Sequence, residues 1–142
     1  MLSARGRETV VAWFTSKNDI GQAYAAFSSD AGRSWGHPIR LDDAGSLGRV
    51  GVVLLDDGSA VASWIEVTDN HAQFRIRRPD RSGTRSPAAT VTDVPMSVTS
   101  AYPRMARFGD ELVFAWTERA SSKEDDAKSA QHVGMAVARV PR

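Results

Sequence analysis

Three short phrases, Val10-Val11-Ala12-Trp13, Val61-Ala62-Ser63-Trp64 and Val113-Phe114-Ala115-Trp116, end on tryptophans spaced 51 and 52 residues apart. Each is followed by Phe14-Thr15, Ile65-Glu66 or Thr117-Glu118, then by a polar stretch and a second apolar run. Self-similarity at a fixed period of this length restricts the chain to architectures in which one supersecondary unit repeats side by side.

The unit reads as strands. Segments 50–55, 60–65 and 112–116 are apolar without alternation, the pattern of strands buried on both faces. In an antiparallel protein that requires sheets packed face to face on both sides, as in the inner strands of propeller blades, and a period near 50 is the length of such a blade. Gln73, Arg75 and Arg77 alternate with Phe74 and Ile76, as expected of a strand nearer the wet rim. Leu55-Asp56-Asp57-Gly58-Ser59 and Phe108-Gly109-Asp110-Glu111 put Gly and Asp between apolar runs at hairpin spacing. Helical periodicity is weak throughout.

A complete blade then comprises 50–55, 60–65, 72–77 and 88–92. The expected organisation is all-β: about three four-stranded antiparallel blades forming one partial β-propeller domain. Residues 1–45 form an incomplete blade without its opening strand, 46–94 a complete one, and 95–142 one without its closing strand. Repeats bury their faces only against neighbours, and neither end carries a cap. The expectation is therefore that missing upstream blades precede the chain in a longer parent or that a second copy closes the ring; a start within a repeat favours the former.

One motif is specific. Ser28-Ser29-Asp30-Ala31-Gly32-Arg33-Ser34-Trp35 lies between strand segments 23–27 and 38–41 and has the form Ser-x-Asp-x-Gly-x-x-Trp. Its logic is structural: Asp30 accepts backbone N–H groups inside the turn, Gly32 supplies positive φ, and Trp35 is expected to pack back onto the blade. With the blade phrases Ala12-Trp13, Phe27-Ser28-Ser29-Asp30 and Tyr102-Pro103-Arg104-Met105-Ala106-Arg107, the chain resembles the sialidase-like family of Asp-box, or BNR-repeat, propellers over nearly its whole length. Pro79-Asp80-Arg81-Ser82-Gly83-Thr84 in the second repeat keeps a turn but has no Trp after it, and the third repeat offers no Asp-box. The resemblance implies a six-bladed parent and an extracellular or periplasmic location; this chain shows no signal peptide.

In such a propeller the Asp-box turn lies at the end of the blade remote from the ligand. Residues leading into first strands, or leaving second strands, line the ligand end. By that rule Arg49, Arg104, Glu66 and Glu118 are candidate substrate-binding residues, with Tyr102 beside Arg104. Family members that cleave sialosides hold the substrate carboxylate with three arginines, and an arginine fork suits that group because two parallel charge-assisted N–H bonds fix its orientation. Arg49 and Arg104 would supply two. A Tyr–Glu pair replaces the usual carboxylate nucleophile in this family. Only Tyr24 and Tyr102 are present, and no nucleophile or acid/base is assigned.

Composition removes other classes. A net charge of +1, from 18 basic and 17 acidic residues spread along the chain, gives no nucleic-acid stripe. No cysteine is present, which excludes disulfides, thiolate metal sites and Cys nucleophiles, and no apolar stretch is long enough to span a bilayer. His37, His71 and His132 lack metal-ligand spacing, Asp42-Asp43 and Asp56-Asp57 read as turns, and no cofactor fingerprint occurs. The polar segment 120–131 reads as a long solvated loop. The functional expectation is an exo-α-sialidase-type glycoside hydrolase that recognises an acidic glycan such as a sialic-acid-like sugar and is inactive as this isolated piece. The alternative is a non-catalytic Asp-box scaffold that binds glycan or protein.

Overall fold

Eleven strands and no helix make up the regular structure of the described residues, which are 1–68, 71–94, 102–119 and 131–140 of the computed structural model. Strand β1 (Leu2–Arg5) turns at Gly6 into β2 (Glu8–Lys17), and Asn18 and Asp19 carry the chain into β3 (Ile20–Ser28). Both of those turn residues are left-handed, with φ of 53° and 61°. Two successive positive φ values give the hairpin turn whose twist matches that of its strands, and Asn and Asp tolerate them best after Gly. A two-residue strand, β4 (Ile39–Arg40), completes the first sheet in the order β1-β2-β3-β4.

The middle sheet repeats that plan with β5 (Ser46–Leu54), β6 (Ala60–Thr68), β7 (His71–Arg77) and β8 (Ala89–Val94). In its first turn the Asp57 carboxylate accepts the backbone N–H and hydroxyl of Ser59, at 3.0 and 2.6 Å. The third sheet has β9 (Arg104–Phe108), β10 (Glu111–Arg119) and β11 (Gln131–Arg139), with β10 in the centre. Among the described residues all pairings are antiparallel between strands consecutive in the chain, and no sheet closes on itself.

The three sheets lie in series. The front of the first sheet offers Val10, Ala12, Ala23, Ala25, Phe27 and Ile39; against these pack Val52, Leu54, Ala60, Ala62 and Trp64 from the back of the middle sheet. The middle sheet's other face, with Val61, Ile65, Phe74 and Ile76, meets Met105, Leu112, Phe114 and Trp116 of the third. Phe74 meets Phe114 edge to face, centroids 5.7 Å apart, and lies 6.5 Å from Trp116. Covered on both sides, residues 60–66 are all buried, which is why β6 is apolar without alternation.

Trp64 and Trp116 are equivalent. Each faces back onto the preceding sheet, and each donates its indole N–H to the carboxylate two residues on, on the same strand face: Trp64 to Glu66 at 2.8 Å and Trp116 to Glu118. Glu66 also accepts the backbone N–H groups of Asp43 and Ala44, at 3.2 and 2.9 Å, in the connection from the first sheet. Opposite Trp116 stands Gly134, where a Cβ would come within 2.5 Å of the indole nitrogen. The ring is seated where a side chain is omitted.

Two expectations need correction, and one tryptophan departs from the repeat. The first repeat does not lack its opening strand: Leu2–Arg5 pairs with β2, and Ser3 Oγ accepts the backbone N–H of Leu54 at 3.0 Å. Arg77 is not a wet-rim residue. It is 4% exposed, forked onto the Asp43 carboxylate, with its guanidinium 5.5 Å from the Trp64 ring. Trp13 is not buried between sheets as Trp64 and Trp116 are; it lies partly exposed on the back of the first sheet, stacked on Tyr24 at 5.7 Å. The loop expected at 120–131 lies outside the described residues except for Gln131.

Trp64→Ala empties an inter-sheet site and leaves the buried Glu66 without its indole donor, so we expect a loss of about 3–5 kcal/mol in urea unfolding. Trp64→Phe keeps most of the ring volume and should cost about 1–3 kcal/mol, the penalty for the orphaned acceptor.

Candidate functional site

The two ends of the stack differ in chemistry. At one end lie the tight turns, among them the loop from Ser28 to Trp35. Asp30 organises it: Ser28 Oγ and the Ser34 backbone N–H both donate to Oδ1, at 2.8 and 2.9 Å, and Ser34 Oγ donates to Oδ2 at 2.6 Å. Ser28 Oγ in turn accepts the backbone N–H of Gly32 at 2.9 Å. Ala31 and Gly32 are left-handed, at φ 62° and 81°. The donors stabilise the charged carboxylate, those from Ser34 most, and lower the Asp30 pKa from 3.8 to about 2.

Asp80 forms the same device in the middle sheet. Its Oδ1 accepts the N–H groups of Ser82 and Thr84 at 2.8 and 3.2 Å, and the Ser82 hydroxyl above all holds its pKa below the usual range. Aligned on the aspartate, Arg78, Ser82 and Arg85 stand in place of the Ser, Gly and Trp of the motif, while the carboxylate-centred turn persists. Trp35 itself is 42% exposed, with its ring edge over Gly32 rather than buried in a core cluster.

At the opposite end, Arg49 lies inside β5 rather than ahead of it, within an irregular stretch of pairing between Gly48 and Gly51. Its φ of 55° is left-handed, unusual without glycine, and falls where the ladder is interrupted. The exposed guanidinium sits 4.0 Å from the ring centroid of Tyr102, which is 49% exposed. Arg104 is exposed at the start of β9, two residues beyond Tyr102 and in register with Ala115. Among the described residues neither Arg49 nor Arg104 forms an ion pair. The structure thus brings Arg49 and Tyr102 into contact, with Arg104 adjacent in sequence.

The two glutamates are placed differently. Glu66 is 1% exposed and its oxygens serve Trp64 and the Asp43–Ala44 backbone. Glu118 binds Trp116 and, across to β11, His132 Nε2 at 2.8 Å; these two partners, Trp116 foremost, hold its pKa below the usual range. The sequence hides these roles because Trp-x-Glu there looks like a strand ending, although residues two apart on a strand share a face.

Sequence reading also missed an ion-paired belt around the tight turns. Asp56 is clasped by Arg5 of the first sheet and Arg107 of the third, and Arg78 pairs with Asp57, Arg81 with Glu8, Arg85 with Asp43. Clefts of about 630 and 960 Å³ open between these turns, away from Arg49 and Tyr102. Concavity and unpaired cation therefore lie at opposite ends. The second is the better guide to a ligand, because most of the charge lining the clefts is neutralised by neighbouring side chains. Among the described residues no three His, Asp or Glu side chains gather in a way that could hold a metal.

A depressed carboxyl pKa contributes stability that is complete above the unfolded value and is lost as pH falls through the folded one. For Asp30 that window runs from 3.8 down to about 2. Asp30→Asn should lower Tm at pH 7 and flatten the fall of Tm between these two pH values, measured by calorimetry; an unchanged acid limb would remove Asp30 from the account.

Set against known proteins, the chain matches no protein-family model and no curated protein.

Proposed function

We propose that the three sheets are blades of a sialidase-like, Asp-box propeller and that the chain recognises an acidic sugar with Arg49, Tyr102 and Arg104. The observation that carries this reading is the Arg49 guanidinium lying over the exposed Tyr102 ring. The ring contact is a cation–π one, and among the described residues no hydrogen bond occupies the Arg49 N–H groups. They stay available for a bidentate bond to a carboxylate, while the half-exposed phenol offers a surface for the sugar. Arg104 would add a second cation beside the same group. The carboxylate-centred turns at Asp30 and Asp80 support the blade reading independently.

Binding without hydrolysis is the form of this function that the glutamates favour. Cleaving a sialoside requires a proton donor at the leaving oxygen, and an efficient donor has a carboxyl pKa raised toward neutrality. Glu118 is shifted the other way, and Glu66 is enclosed between sheets. The exo-α-sialidase reading needs an acid and a nucleophile beyond the groups gathered around Arg49.

Titrating the ¹⁵N-labelled chain with a sialic acid methyl glycoside should shift the resonances of Arg49, Tyr102 and Arg104, with no response to methyl galactoside. Arg49→Ala should weaken binding by about tenfold or more, and Arg49→Lys by nearly as much because the fork is lost. Equal response to the acidic and neutral sugars, or unchanged affinity in Arg49→Ala, would defeat the proposal. Turnover of a fluorogenic sialoside would replace binding by hydrolysis.

A further inference from the structure

The same inter-sheet interface occurs twice within the chain. In each case a back face bearing a tryptophan, Trp64 or Trp116, sits on the front face of the sheet before it. One back face and one front face are left over. The back of the first sheet presents Leu2, Val11, Trp13 and Tyr24, with Leu2 58% exposed. Trp13 occupies the position that Trp64 and Trp116 occupy in the other two phrases.

The front of the third sheet presents Phe108, Val113, Val133, Met135 and Val137, with Arg104 in the row of Met135 and with Glu111 and Arg139 in the row of Phe108. Four of these large side chains are 82%, 67%, 66% and 62% exposed, namely Phe108, Val133, Met135 and Val137. Strand alternation puts them opposite Leu112, Phe114 and Trp116, which face the middle sheet. Among the described residues no core cluster includes either face, although Thr9, Ala26 and Ser28 on the first are buried. Contiguous apolar faces of this kind are association surfaces.

We infer that the occupant of both faces is a second copy of this chain, bound head to tail, with the Trp13 face of each copy on the Met135 face of the other. The argument is continuity: the two free faces are the two halves of an interface the chain already builds twice, and every copy carries both. A head-to-tail contact leaves two faces open in any chain of copies unless it closes. Two copies satisfy all four faces at once, giving a closed dimer of six sheets. This inference stands on packing alone; the copy it seats on the third sheet shares that face with Arg104.

Sedimentation velocity of the full chain over a concentration series tests it. The expected species has twice the 15.4 kDa of one chain. Trp13→Glu and Met135→Glu should each give a monomer that keeps its far-UV β spectrum, with Leu2→Glu and Val137→Lys as second variants on the same two faces. Mixing the Trp13→Glu and Met135→Glu chains should restore a pair, because each retains the face the other has lost. A monomer at every concentration would mean that some other polypeptide covers these faces, and would overturn the inference. So would a dimer insensitive to one of the two faces, failure of the mixture to pair, or masses that grow without limit.

Discussion

A buried indole that hydrogen-bonds the carboxylate two residues on, while its ring packs against the preceding sheet, is the interaction on which this arrangement depends. A carboxylate as enclosed as Glu66 is costly unless its oxygens are taken up. Trp64 and the backbone N–H groups of Asp43 and Ala44 take them up together. One side chain thereby joins the packing of the middle sheet to the segment that delivers the chain from the first. In the third sheet Glu118 performs the corresponding task, tying Trp116 to His132 on the neighbouring strand. The first sheet has Thr15 where the others have glutamate, and there the indole turns to Tyr24 as its partner.

Around this apolar series runs a perimeter of arginine–aspartate pairs. Asp56 is held mainly by Arg107, which keeps its pKa low, and Arg5 reaches it from the other side. A planar guanidinium suits the task because it can bond a carboxylate and a carbonyl together: Arg5 binds the Asp56 side chain and, at 2.8 Å, its backbone oxygen. Fifteen of the 18 basic residues are arginine, and at the turns, where one residue fastens adjacent sheets, that choice has a structural use. Among the described residues Arg49 and Arg104 stand outside this pairing at the far end of the strands, which is what makes them candidates for an external anion.

Much of the fold could be read from local pattern. Apolar runs without alternation located β6 and β10, and the Gly- and Asp-bearing turns located their hairpins, since both signals arise within a few residues. What was missed arises from distant partners or from backbone conformation. Leu2-Ser3-Ala4-Arg5 has one large apolar residue and becomes a strand because β2 lies beside it. Arg77 looks like a solvent-facing residue in an alternating strand, yet Asp43, far away in sequence, draws it inside. The left-handed bulge at Arg49 has no glycine of its own to announce it, although Gly48 precedes it. That Arg49 and Tyr102 share one end was legible through the repeat, which places both near first strands. Their contact and the commitment of both glutamates to indoles required coordinates.

The central claim, that Trp64 is sealed between two sheets and bonded to Glu66, is tested most directly by solvent exchange at the indole nitrogens. With ¹⁵N-tryptophan labelling, the Trp64 indole N–H should outlast that of Trp35 by orders of magnitude after transfer to D₂O, and Glu66→Gln should speed its loss. Equal exchange at Trp64 and Trp35 would contradict the account, because an indole N–H open to water cannot lie inside the interface on which the three sheets rely.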